Sequence, residues 1–165
     1  MRSIADLKQR PNLNADGREI LWPCWKLAHC LGHQYVVAGH ILLSLLMNEE
    51  RTSHKVLTDA GIYPIKVLFY LNDNCSRLPC DRPMPPAMGK STELILDSLA
   101  QDHPPEGKEA GIHALLGAVL NPNLMSISRI FEVHKLEIGT AAPQILAQHA
   151  KLISLYIECQ AAVSA

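Results

Sequence analysis

The chain has 165 residues, with 15 basic against 16 acidic side chains and a formal charge of -1. That balance carries no electrostatic footprint for nucleic acid or a membrane surface, and the length suits one domain with a real core rather than two joined by a linker. An apolar share of 48% with only two Phe and two Trp means a core of Leu, Ile, Val and Ala, which favours helices over a sandwich. In chain order, Asn14 is a candidate cap, and Ile20, Leu21, Cys24, Trp25, Ala28 and Leu31 then recur at three- and four-residue steps, predicting a helix within 13–33. Pro23 lacks the N–H owed to the carbonyl of Glu19, so this helix is expected either to kink there or to start later with Pro23 in its first turn.

Residues 39–47 are too continuously apolar for a surface helix and read as the buried centre of a bundle, although their length also allows a strand. Asn48 to Ser53 is a polar loop. A short helix carrying Val56, Leu57 and Ala60 follows, with Gly61 placed to end it in the left-handed conformation. The next helix is expected from Pro64 to Leu71, with Ile65, Leu68, Phe69 and Leu71 as buried candidates. From Asn72 to Gly89 the chain turns to Pro, Asn, Asp and Cys and reads as a surface linker. A last helix, 143–162, places Ile145, Leu146, His149, Leu152, Ile153, Tyr156 and Ile157 on one stripe. At about 20 residues it exceeds the mean of about 11–12, so part of it is expected to cover the domain or another subunit.

The second half repeats the first. His40-Ile-Leu-Leu-Ser-Leu-Leu faces His113-Ala-Leu-Leu-Gly-Ala-Val at a spacing of 73, as Asn48 faces Asn121. One residue more in the next loop sets Val56-Leu57 against Ile130-Phe131 and Gly61-Ile62 against Lys135-Leu136, while Cys24 and Ala28 face Leu96 and Ala100 at 72. The expected organisation is a single all-α domain over 1–165: repeat 1 over about 13–72, a linker over about 73–88 and repeat 2 over about 89–162.

These positions carry a family likeness. Leu13-Asn14, the small residues Cys24 and Ala28, Gly32-His33, and Ala38-Gly39-His40-Ile-Leu-Leu-Ser-Leu-Leu follow the order and spacing of the Clp repeat, and the chain over about 13–146 resembles the N-terminal domain of Clp unfoldases. The resemblance implies two four-helix repeats related by a pseudo-twofold axis in one bundle, here with a long C-terminal helix. It also implies a non-catalytic module that binds a Clp-type unfoldase or protease, an adaptor or a substrate peptide, with no cofactor; the absence of an expected membrane span or secretory signal makes the cytoplasm the expected compartment. An alternative is the receiving domain of a full Clp unfoldase, including the type that disassembles secretion sheaths. Some members of the family receive phosphorylated arginine through a Glu before the repeat His. Here those positions are Gly39 and Ile112, which cannot pair with a guanidinium group, so apolar contact with a partner helix in a groove is the expected mode.

The remaining candidates are weighed one at a time. Gly89-Lys90-Ser91 has the end of a phosphate loop, but Met84 stands where its first Gly belongs and no apolar strand precedes it, so a helix N-terminus is expected. His40 and His113 occupy matching places and are read as packing and helix-start residues. Cys75 and Cys80, with His29 and His33, form a weak zinc signature, and a small metal protein or enzyme built on His and Cys is the reading of another class. No metal is expected. No local nucleophile, base and orienting group come together, so no catalytic residue is expected either. Five cysteines without a regular framework suit a reducing compartment. No run approaches the roughly 18 apolar residues of a membrane span, and the polar start predicts no secretory signal. Trp22 and Trp25 lie three apart on neighbouring helix faces and cannot easily share a core. With Tyr35 they are the candidate partner-binding surface, because exposed Trp and Tyr are enriched at interface hot spots.

Overall fold

The computed structural model describes residues 10–78 and 84–164. Among them, the first half forms α1 (Ala15–Cys30), β1 (Tyr35–Val36), α2 (Ala38–Leu46), α3 (Thr52–Asp59) and α4 (Pro64–Asn74). The second half forms β2 (Ala87–Met88), α5 (Lys90–Asp102), α6 (Ile112–Val119), α7 (Met125–Val133) and α8 (Ile138–Ser164). The expected all-α fold of two four-helix repeats and a long last helix is present, with one short strand pair added.

That pair explains how the repeats interlock. β1, which leads into α2, pairs in parallel with β2, which leads into α5. The segment leading into α6 does the same with the segment leading into α1, through the parallel bridge Leu13–Ala110. The bonds match as well: Gly89 N–H donates to Val36 O at 2.8 Å and Asn14 N–H donates to Ala110 O at 3.1 Å. Each repeat thus closes the other's entrance, which is the signature of a pseudo-twofold axis. The stretch read as a linker therefore carries a strand, and Gly89 ends it as the N-cap of α5.

α2 sits at the centre. All nine of its residues are buried, and it packs against α1, α3, α4, α5, α6 and α7. A helix covered on every side needs no polar face, which accounts for the unbroken Ile-Leu-Leu run. Its start is held from two directions. The His40 side chain accepts from Val37 N–H at 3.0 Å, and Ser91 of α5 accepts from Ala38 N–H at 3.0 Å, so the other repeat supplies the hydroxyl that the local sequence lacks.

The two repeats end their third helices alike. Gly61 has φ 94° and Lys135 has φ 59°, and Ile62 N–H and Leu136 N–H reach back to Leu57 O and Phe131 O, both at 2.9 Å. This is the left-handed termination expected at Gly61. Asn48 and Asn121 also match, each accepting from the backbone N–H two residues on, at 3.0 and 2.9 Å.

The register needs correction elsewhere. The N-caps of α2 and α6, Val37 and Gly111, lie 74 apart, so His40 corresponds to Ala114 and His113 to Gly39. The spacing of 73 applies only from the end of α6, which is one residue shorter than α2. α1 and α5 correspond at 75 from their caps Asn14 and Gly89, which places the buried Ile20, Leu21 and Cys24 with Ile95, Leu96 and Leu99. The spacing of 72 holds at their C-terminal ends, because α1 is three residues longer.

Three local expectations also change. α1 runs through Pro23 instead of starting there, capped by Asn14, whose side chain accepts from Gly17 N–H at 2.8 Å. α4 starts at Pro64 as expected but buries Val67 and Leu71, leaving Ile65 and Phe69 exposed. α8 is 27 residues long and passes through Pro143, and of its predicted stripe only Ile145 and His149 are buried. No helix among the described residues is long and apolar enough to cross a membrane.

Candidate functional site

The exposure of Ile65 opens a groove on repeat 1. The last turn of α1 contributes Leu27 and Leu31, the end of α2 contributes Leu43 and Met47, and the first turns of α4 contribute Ile65 and Leu68. Together with Tyr63 and Pro64 they enclose about 550 Å³ lined by apolar atoms alone. Met47 is 62% exposed and Ile65 54%, an uncommon outlay of large apolar surface for adjoining residues. The rim is fixed from the other repeat. His134 at the end of α7 donates from Nδ1 to Ile130 O at 2.7 Å, and its Nε2 accepts from Tyr63 N–H at 3.1 Å.

Repeat 2 carries the corresponding hollow, also about 550 Å³, between α5, α6 and α8. At the spacing of 74, Leu43, Ile65 and Leu68 become Gly117, Gly139 and Ala142, and Asp102, His103 and Asn121 stand at its edge. The two grooves share one architecture but not one chemistry. The first presents protruding apolar side chains; the second is hollow and polar-rimmed.

A smaller cavity of about 200 Å³ lies between the repeats, lined by Tyr35, Gly39, Leu71, Cys75, Ser91 and Ser126. A Cβ on Gly39 would stand 2.7 Å from Leu71 Cδ2, so no carboxylate fits at this place without displacing the core. Its counterpart at the corrected register is His113, not Ile112. Neither repeat offers the acidic partner of a guanidinium group.

Two histidine pairs join distant parts of the chain, the first fully buried and the second open to solvent at His113. His33 Nδ1 and His40 Nε2 are 2.9 Å apart, and both residues are fully buried. Because His40 Nδ1 accepts from Val37, its proton sits on Nε2 and is donated to His33. Burial, and then the facing His33, hold His40 down to about 4. Burial also lowers His33, with the neighbouring Asn72 side chain acting in the other direction. In the second pair, His113 and His149 stack with their rings parallel and their Nδ1 atoms 2.9 Å apart, while His149 Nε2 meets Thr52 Oγ1 at 2.9 Å. Burial, and then His113, hold His149 down to about 4.

Cys75 joins the first pair, with ligand atoms of His33, His40 and Cys75 all within 4.8 Å. The sequence grouped Cys75 and His33 with Cys80, which lies outside the described residues, and with His29; it did not foresee His40 as the third member. A cation on His40 Nε2 would push the ring proton to Nδ1, donor against the Val37 N–H donor, so the arrangement fits a neutral hydrogen-bonded pair better than a metal centre. Burial raises the Cys75 thiol and drives Cys24 up to about 12, which removes the thiolate a nucleophile needs.

Of the predicted partner-binding residues, Trp22 is exposed on the solvent side of α1, Trp25 is half-buried against the core and Tyr35 is exposed on β1. Tyr35 lines the inter-repeat cavity; neither Trp lines any of the three cavities described. The structure does not gather the three aromatics into the apolar groove. The signal that could have found the groove is the pairing of Val67 with Leu71 at i, i+4, which turns Ile65 and Phe69 outward.

Residues 12–110 match the family model of the Clp repeat N-terminal domain, and no curated protein matches the chain. The matched stretch runs from the segment before α1 to Ala110, which pair with each other through the Leu13–Ala110 bridge, and it contains the β1–β2 pair as well. With interlocked four-helix repeats on the page and more than half of the chain matched, the protein belongs to the Clp repeat N-terminal domain family.

Proposed function

We propose that this chain is a single-domain, non-catalytic protein-binding module of a Clp-type ATP-dependent unfoldase or protease, and that it receives an apolar segment of an adaptor, a substrate or the ring itself. The observation that carries the reading is the groove of repeat 1, an all-apolar trough whose walls, Leu27, Leu31, Leu43, Met47, Ile65 and Leu68, come from three helices. An amphipathic helix laid in such a trough buries anchors at i, i+3 or i+4, and i+7, each contributing on the order of 1–3 kcal/mol. Loss of the acidic residue at Gly39 leaves recognition to shape and apolar area. Among the described residues Cys24, Cys30, Cys75 and Cys159 are free thiols, which suits the cytoplasm as the site of action.

The test is a binding titration of the tagged chain against purified Clp unfoldase and adaptor proteins of the same organism. Met47→Glu with Ile65→Glu puts charge into the trough and is expected to weaken binding by tenfold or more, at unchanged helicity. Trp22→Ala with Trp25→Ala examines the aromatic surface expected from the sequence. Binding lost in the tryptophan variant and kept in the groove variant would move the site to the outer face of α1. No binding to any Clp component would remove the functional reading and leave the fold intact.

A further inference from the structure

The first turn of α4 forms one wall of the repeat-1 groove, yet its own residues do little to fix it. Tyr63, its N-cap, gives no side-chain bond, and Pro64 follows at the first helical position. A helix start can be closed by an acceptor three residues past the cap that reaches back to the cap's own N–H. α2 does this with His40, which accepts from Val37 N–H at 3.0 Å. In α4 the same position is Lys66, whose ammonium group has donors and no acceptor. The acceptor comes instead from repeat 2, where Tyr63 N–H donates to His134 Nε2 at 3.1 Å. The ring is set for that task, because Nδ1 donates to Ile130 O at 2.7 Å and so leaves the lone pair on Nε2.

The pseudo-twofold axis does not repeat this tie. The loops after α3 and α7 face one another, and a Cβ on Gly61 would stand 4.0 Å from Leu136 Cδ1. At the spacing of 74, His134 corresponds to Ala60 and Tyr63 to Glu137, and a methyl group cannot accept a bond from the start of α8. Lys135, next to His134, holds φ 59° where repeat 1 has Gly61, the only positive φ outside glycine among the described residues. Such strain persists where neighbouring bonds over-determine the chain. We infer that His134, which does not line the groove, is its positioning residue. It takes the place of the missing cap of α4 and keeps Ile65 and Leu68 in the orientation that receives an apolar segment. This rests on the reading of the groove as the binding surface. A wall already in place does not have to be ordered during binding, which raises affinity.

Two substitutions separate positioning from bulk. His134→Leu keeps apolar volume and removes the acceptor, while His134→Gln retains an acceptor oxygen within reach of Tyr63 N–H. Amide hydrogen exchange on the full chain, followed residue by residue by NMR, reads the tie without any partner. His134→Leu is expected to speed exchange at Tyr63 and at Lys66 to Leu68 by about tenfold, with the amides of α2 unchanged, and His134→Gln to restore slow exchange. In the titration against purified Clp unfoldase and adaptor proteins, the leucine variant is expected to bind about three- to tenfold more weakly, and the glutamine variant within about twofold of the wild type.

Unchanged exchange at Tyr63 in His134→Leu overturns the proposal, as does faster exchange spread evenly over the domain, which marks general destabilisation. Lost protection at Tyr63 with unaltered affinity for a Clp component, or a glutamine variant no better than the leucine variant, overturns it too. A wild type that binds no Clp component removes the functional reading and with it the role in binding, while the exchange result still decides whether His134 sets the start of α4.

Discussion

Acidification is expected to destabilise this domain well before its carboxylates titrate, with His40 as the main cause. An imidazole has an ordinary value of 6.5, and burial beside His33 holds His40 down to about 4. The unfolded chain therefore binds the proton more readily than the folded one. Stability contributed by the neutral ring is complete above pH 6.5, falls as the pH drops through that value, and is fully lost near pH 4. The whole window is worth about 3 kcal/mol, of which about 2 is gone by pH 5. His149 changes in the same direction, but its partner His113 is open to solvent, so its share is screened and smaller. Against a domain stability of roughly 5–15 kcal/mol the His40 share alone is large. The assay is urea unfolding followed by circular dichroism at half-unit steps from pH 7 to 5, where carboxylates remain ionised. His40→Gln lowers stability at pH 7, because the ring's bonds to Val37 N–H and His33 are lost, yet it should flatten the pH slope. A wild type whose stability is constant from pH 7 to 5, or a His40→Gln slope equal to the wild-type slope, would refute the reasoning.

Two substitutions test the packing between the repeats. Gly39→Ala sets a methyl group 2.7 Å from Leu71 Cδ2 and 3.2 Å from Ile130 Cδ1; the gain in helix propensity of about 1 kcal/mol is outweighed, and a net loss of about 1–2 kcal/mol should appear as a lower urea midpoint. Thr92→Val keeps the shape but removes the 2.7 Å donation to Val36 O. Because that carbonyl still accepts from Gly89 N–H, the expected cost is only about 1 kcal/mol, read in the same unfolding experiment.

Much of the fold was legible because helices announce themselves locally. Apolar patterning marked five of the helices in outline, Asn14 and Gly61 marked ends through side-chain and backbone chemistry that acts within a turn, and the repeat was visible as a second pass of the same pattern. The errors have a common origin. A spacing counted along the chain absorbs insertions silently, so the extra residue of α2 and the three extra residues of α1 shifted the pairing of His40 and of Cys24 without disturbing the neighbouring matches. Ile65 and Phe69 were expected inside because they are apolar, and they lie outside because an apolar residue does not state which face its neighbours will cover.

The amino-acid sequence by itself determined the helical class, the two repeats, the central place of 39–47 and the family. Only the tertiary structure decided that the strand before α2 pairs with the strand before α5, that His40 turns to His33 and His113 to His149, that the apolar trough of repeat 1 faces outward, and that the last turns of α8 stand exposed. The division follows the range of the forces. Propensity, capping and periodicity act over a few residues and can be read in order, whereas burial and hydrogen-bond partnership are settled by groups brought together from distant parts of the chain.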